Sequence, residues 1–396
     1  MNVPWRILDL AILAALAAPP AFAEPPTAVL VEGEPFRGEL VAVNAQWQLQ
    51  LKSGQTQRHA PAADLVKWGA WVEPLGGPLV LTADGGLLVA DVFRADAEQL
   101  TVDSALFGAL KLPLDCLAGV LFDPPSDRRM RDRLLERVAR AGGESDRLVL
   151  HNGDELTGLI ESLEDDSVSL GTDAGAVKIE THRIAAMVFD PSLRRKIEPE
   201  GLRAWTGFAD GTRLLATQLL LEGSVLQVTT ALGPTWRTSA GELAALQPLG
   251  GRVVYLSDLE PAGYLHVPYL DLAWPYQADR NVTGGLMRCG GRLYLKGLGV
   301  HTAARLTYTL DETCRRFEAE LGVDDCAGAG GSVRYRVFLD DRQKYTSETI
   351  RGGGAAVPVS IDVAGGKRLL LVVDFAERAD ELDRADWLDA RLIKRL

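Results

Sequence analysis

Four stretches of this chain alternate apolar and polar positions around a turn glycine: LVEGEPFRGEL, LTADGGLLVADV, LHNGDELTGLI and FADGTRLLATQ. Aligned on Gly33, Gly85, Gly153 and Gly211, each has an apolar residue three positions on, at Phe36, Leu88, Leu156 and Leu214. Two further comes a small residue, at Gly38, Ala90, Gly158 and Ala216. This is an internal repeat. Alternation on both sides of Asp-Gly or Asn-Gly predicts hairpins, because these residues tolerate the positive φ of a tight turn. The pattern gives four small antiparallel β units, over residues 24–76, 77–124, 146–192 and 193–251. Each unit either closes as an SH3-like barrel or shares a sheet with its neighbours; alternation alone leaves both open.

The period changes between the second and third units, in PPSDRRMRDRLLERVARAGGES. Met130, Leu134, Leu135 and Val138 follow helical spacing, Ser126 offers an N-cap, and Gly142-Gly143 stops the run. The linker 125–145 is expected to hold one short amphipathic helix whose arginines form a solvated face. Period-two alternation returns after Gly250. Arg315 to Val323, Val333 to Leu339, Val357 to Val363 and Leu369 to Asp374 read as strands joined by glycine-rich loops, which indicates an antiparallel sandwich. The expected fold is all-β: tandem small antiparallel repeats followed by a C-terminal β-sandwich.

Charge narrows the partners. Against 54 acidic residues stand 42 basic ones, a formal net charge of -12, which repels nucleic-acid phosphates, so no nucleic-acid partner is expected. The start, MNVPWRILDLAILAALAAPPAFAEPP, has Arg6, an apolar run from Leu10 to Ala18, and small residues at Ala21 and Ala23. That is the pattern of a secretory signal cleaved after Ala23, making the protein secreted, periplasmic or attached to the cell envelope. The run is too short for a spanning helix, so no transmembrane span is expected in the mature protein. In an oxidising compartment Cys116, Cys289, Cys314 and Cys326 could pair, with no connectivity fixed by their spacing.

The segment GGRLYLKGLGVHTAARLTYTLDETCRRFEAELGVDD, followed by GSVRYRVFLDD and LLLVVDFAERADELDRADWLDARL, resembles the NPCBM family of carbohydrate-binding modules. The matching motifs are Gly297 to His301, Gly322 to Asp325 and Asp386 to Asp389, and the resemblance covers roughly residues 252–396. It implies a galactose-binding-type jelly roll that binds sugar without catalysis. Two positions depart from the family pattern: Thr302 where serine is usual, and Arg384 where histidine is often found.

Sugar recognition needs flat aromatic faces for the apolar side of a pyranose and convergent polar groups for its hydroxyls. Trp274, Tyr276, Asp279, Arg280 and Asn281 supply that mixture in one loop, with Asp386 and Trp387 as further candidates; the alternative is that these aromatics plug the sandwich ends. His301 joins them through its family motif. Asp324 and Asp325 end a strand, where carboxylates cap loop amides or ligate a hard cation, so a structural Ca2+ is the one cofactor considered. The other aspartate pair, Asp340-Asp341, is expected to be a hairpin turn.

No nucleophile elbow, metalloprotease helix, P-loop or dinucleotide fingerprint occurs, so no enzymatic activity is expected. The reading is an exported glycan- or polysaccharide-binding protein carried on β repeats. Its alternatives are an envelope scaffold that meets protein partners, and a module-bearing glycoside hydrolase.

Overall fold

The computed structural model describes residues 25–164, 166–196, 200–269 and 272–395; the expected signal sequence at 1–23 lies outside them. Apart from short 3₁₀ turns and one α-helix, the regular elements are antiparallel strands.

The repeats share one plan. The fourth shows it most simply: Arg203–Phe208, the long bent strand Arg213–Glu222, Val225–Thr230, Thr235–Ser239, a 3₁₀ turn Ala240–Glu242, and the closing strand Leu243–Leu249. The four aligned glycines all have φ near +90°, a conformation that side chains resist. Two residues after the apolar position the long strand passes close to its neighbour. A Cβ on Gly158 would sit 2.2 Å from the Gly171 carbonyl oxygen, which explains the small residue at this position. Each repeat also carries a 3₁₀ turn before its closing strand, followed by a buried Leu65, Leu117, Ile184 or Leu243.

Units share sheets, and sequence neighbours are not always the partners. The closing strand of the first repeat pairs with that of the fourth (Leu246 with Trp68), and the second with the third (Val120 with Met187). The far ends of the long strands also meet, Val43 with Leu221 and Ala95 with Leu163, so that each pair of repeats closes on itself. One apolar core, from Ala28 to Leu246, runs through all four repeats.

The C-terminal sandwich has one sheet in the order Gln277–Ala278, Gly297–His301, Arg384–Lys394, Cys314–Val323, Val357–Asp362. The other runs Gly263–His266, Ala304–Thr309, Arg368–Phe375, Ser332–Leu339, Arg342–Thr346. Val333, Tyr335, Val337 and Leu339 point into the core while Arg334 is exposed, as alternation requires. Asp340 and Asp341 both have positive φ and join Leu339 to Arg342, the tight turn expected of them.

The sandwich is docked on the repeats. Val253, Tyr255 and Ile393 pack with Val31, Val66, Leu215 and Leu249, and the Tyr255 hydroxyl donates to the Val66 carbonyl at 3.2 Å. Lys67 reaches across to Glu320 at 2.7 Å and Asp389 at 2.6 Å. The helix, Arg128–Ala139, takes part as well. Its N-cap is Asp127, which accepts from the Met130 amide, rather than Ser126. Its charged side chains are not simply a solvated face: Arg131 and Asp132 are buried while Met130 is 60% exposed, because Asp132 and Glu73 together hold Arg288 of the sandwich.

Candidate functional site

At one end of the sandwich the edge strand Gly263–His266 pairs with Ala304–Thr309, bringing His266 beside Ala304 and hence beside the end of Gly297–His301. The two imidazoles stand edge to face with centroids 6.0 Å apart. Trp274 lies flat on His301, centroids 5.2 Å apart and planes 8° from parallel. The Trp274 backbone is fixed at both ends: its amide donates to His266 Nδ1 at 3.2 Å and its carbonyl accepts from the Tyr264 hydroxyl at 2.5 Å.

These bonds assign the tautomers. Nδ1 of His266 accepts, so its Nε2 carries the proton and donates to the Thr302 carbonyl at 2.9 Å. Nδ1 of His301 donates to the same carbonyl at 3.1 Å. Burial lowers the His301 pKa from its ordinary value, which keeps the ring neutral near pH 7 and makes Nε2 an acceptor. Asp380 and Arg384 also act on this ring electrostatically. Half-buried Trp274 therefore offers an indole face at the rim, a surface suited to the apolar face of a sugar, while His301 stacked against it is 7% exposed. Nearby, Tyr269 and Phe375 meet edge to face at 6.3 Å and are 60% and 46% exposed.

Other sugar candidates are committed elsewhere. Tyr276 turns toward the core and packs on Tyr264 at 5.2 Å. Asp279 accepts from Lys296 Nζ at 2.6 Å, and Arg280 donates to Glu136 of the helix at 3.0 Å. Asn281 is 2% exposed and braces its own loop, its amide donating to Leu286 and Asp324. Trp387 is a core plug, edge-on to Tyr335 at 4.8 Å. Asp386 is wholly buried beside Asp324, and neither of its oxygens finds a donor among the described residues; burial, first, and then Asp324 push its pKa well up. The rim thus retains Trp274 and His301 and adds His266, Tyr269 and Phe375.

Asp324 and Asp325 serve as amide caps. Asp324 accepts from the amides of Cys326 (2.9 Å) and Arg288 (2.9 Å) and from Asn281 Nδ2 (3.1 Å); Asp325 accepts from the amides of Gly290 (2.9 Å) and Gly291 (2.8 Å). Among the described residues no cluster of three or more His, Cys, Asp or Glu side chains is arranged to hold a metal. The donors around these two carboxylates are N–H groups, which a cation would have to displace. All four cysteines are free thiols. Thr302 keeps a hydroxyl, but it is buried and donates to Asp383 at 3.0 Å. Arg384 turns inward to the Cys326 carbonyl at 2.9 Å.

The C-terminal module is thus a two-sheet antiparallel sandwich with aromatic residues at one end. Residues 252–393 match the NPCBM/NEW2 domain family. An alpha-1,3-galactosidase B of Akkermansia muciniphila is 33% identical over 115 residues, 28% of this chain and 14% of that protein. A protein named as an endo-alpha-N-acetylgalactosaminidase in Renibacterium salmoninarum is 31% identical over 110 residues, 28% of this chain and 7% of that protein. The chain therefore spans only a small part of either relative. Among solved structures, a CBM51 from Clostridium perfringens GH95 in complex with methyl-galactose is 27% identical, covering 35% of this chain and 99% of that one, with a TM-score of 0.33. No helix among the described residues is long and apolar enough to cross a membrane.

Proposed function

We propose that this protein is an exported, non-catalytic carbohydrate-binding protein whose module takes a terminal sugar of the galactose configuration at the Trp274–His301 rim, while the repeats hold the module in place. The observation that carries this reading is the half-buried indole of Trp274, held by hydrogen bonds at both its amide and its carbonyl and stacked on His301. Both relatives are named for galactose-configured substrates, and both align only over a segment the size of the module, which supports transfer of the sugar class but not of catalysis. Export rests on the signal pattern ending at Ala23; N-terminal sequencing of the mature protein should read from Glu24, and a chain beginning at Met1 would remove that part of the proposal.

Calorimetric titration of the whole chain with galactose, N-acetylgalactosamine and glucose tests the sugar. Binding is expected for the galactose-configured pair, with Trp274→Ala reducing affinity by tenfold or more, since truncating a stacking anchor costs ~2 kcal/mol. Failure to bind any of the three would favour the scaffold reading. That reading has its own support in the exposed Leu265, Val267, Tyr269 and Leu272 along and beyond an edge strand.

A further inference from the structure

We propose that a small monovalent anion of the chloride class binds where the second repeat, the fourth repeat, the helix and the module meet, and that it clamps the module to the repeats through Arg213. Arg213 is 7% exposed, and its Nη1 is completely buried with no partner among the described residues. It borders a partly open cavity of about 60 Å³, with Gly85, Gly86, Asp132, Glu136, Arg280 and Leu286 among its walls. That volume admits one or two water-sized species, since a water occupies ~30 Å³ of liquid.

The charge around this cavity does not balance. Glu73, Asp132 and Glu136 are the carboxylates, and each is already engaged: Glu73 with Arg131 and Arg288, Asp132 with Arg288, and Glu136 with Arg280. Arg131, Arg280 and Arg288 are ion-paired with these three carboxylates, which leaves Arg213 without an ion pair among the described residues. The nearby Asp84 is turned into its own hairpin, accepting from Thr82 Oγ1 and the Gly86 amide. Burial and then the neighbouring Arg280 bring the Arg213 pKa down to about 10, a fall that Asp132 and Glu73 only partly oppose. A water would satisfy Nη1 as an acceptor yet leave the charge uncompensated, and an uncompensated buried charge costs several kcal/mol. An anion meets both needs.

The repeats make the position distinctive. Two residues after the turn glycine the other units have Pro35, Leu87 and Glu155; only the fourth has a cation there. Pairing of Arg213 with Leu87, its counterpart in the second repeat, joins the fourth repeat to the second, so the arginine stands at the junction of those two units.

Crystals of the whole chain soaked in bromide provide the direct test, combined with melting in sodium chloride against sodium gluconate at equal sodium. An anomalous peak within hydrogen-bond distance of the Arg213 guanidinium is expected. The Tm in chloride should exceed that in gluconate by about 2 °C or more. Arg213→Met should erase that difference; if this variant does not fold, the wild-type measurements still decide. Absence of an anomalous peak at Arg213, or equal Tm values in the two salts, overturns the proposal.

Discussion

Trp274 lies parallel to His301, separated by 5.2 Å between ring centroids, and the imidazole is locked by donation from its Nδ1 to the Thr302 carbonyl. The indole is thus held by the protein alone, so at the proposed sugar site little ordering entropy would remain to be lost on binding.

This arrangement predicts a pH dependence of sugar affinity. The His301 pKa is lowered by burial, so the ring is neutral above its unperturbed value of ~6.5 and gains a proton only below that. Protonation turns Nε2 from acceptor to donor and charges a stacked ring. Affinity should therefore be constant above about pH 6.5 and fall as pH drops through the lowered pKa, by roughly fivefold for one hydrogen bond of ~1 kcal/mol. His301→Gln should flatten the profile. Titrations between pH 5 and 8 check this, and an affinity that rises on acidification would contradict the assigned tautomer.

Arg288→Met should destabilise the whole chain by ~3 kcal/mol or more. Arg288 is 8% exposed and joins Glu73 and Asp132, themselves well covered; removing the guanidinium leaves two buried carboxylates short of a partner. The loss should change little between low and high salt, because buried pairs are poorly screened. Chemical denaturation at two ionic strengths gives the answer. A loss confined to low salt would place these charges in solvent.

Much of the architecture was legible from the sequence because it rests on local chemistry. The turn glycines at Gly33, Gly85, Gly153 and Gly211 need positive φ, and strand alternation repeats around them. Which units pair was not legible, since the first meets the fourth through contacts that no local pattern encodes. The site divides in the same way. Trp274 and His301 were recognisable as residue types suited to sugar. The contribution of His266 appears only when its strand pairs beside Ala304. Asp279, Arg280 and Asn281 looked equally suitable in sequence, but their polar valences are already used by Lys296, Glu136 and Asp324. Composition identifies groups able to bind, whereas availability depends on long-range neighbours.

Asp324→Ala should lower stability by ~2 kcal/mol or more, and a calcium chelator should leave the Tm of the wild type unchanged. The variant strands the amides of Cys326 and Arg288 and the Asn281 side chain, and each buried donor left unpaired costs ~1–3 kcal/mol, partly recovered by water. Thermal melts with and without chelator separate the two roles. A chelator-induced fall in Tm that Asp324→Ala abolishes would restore the cation reading.

Asp386 is the sharper case, because its carboxyl is wholly buried and has no donor to accept from among the described residues, yet stands next to Asp324. Ionised, it would be an unpaired charge facing another carboxylate; protonated, it can donate to Asp324. Its pKa is accordingly raised, by burial first and by Asp324 second. For a carboxyl whose folded pKa lies above its unfolded value of ~3.9, the stabilising contribution is complete below the unfolded value. It is lost as pH rises toward the folded pKa. Asp386→Asn keeps the shape and a donor for Asp324 while removing the ionisation. The variant should match the wild type near pH 3.5 and exceed it at pH 7, by a few degrees in Tm for each ~1 kcal/mol recovered. Melts of both proteins across that range measure the divergence. A variant less stable at pH 7 than the wild type would mean that the Asp386 carboxylate is ionised and engages a positive partner.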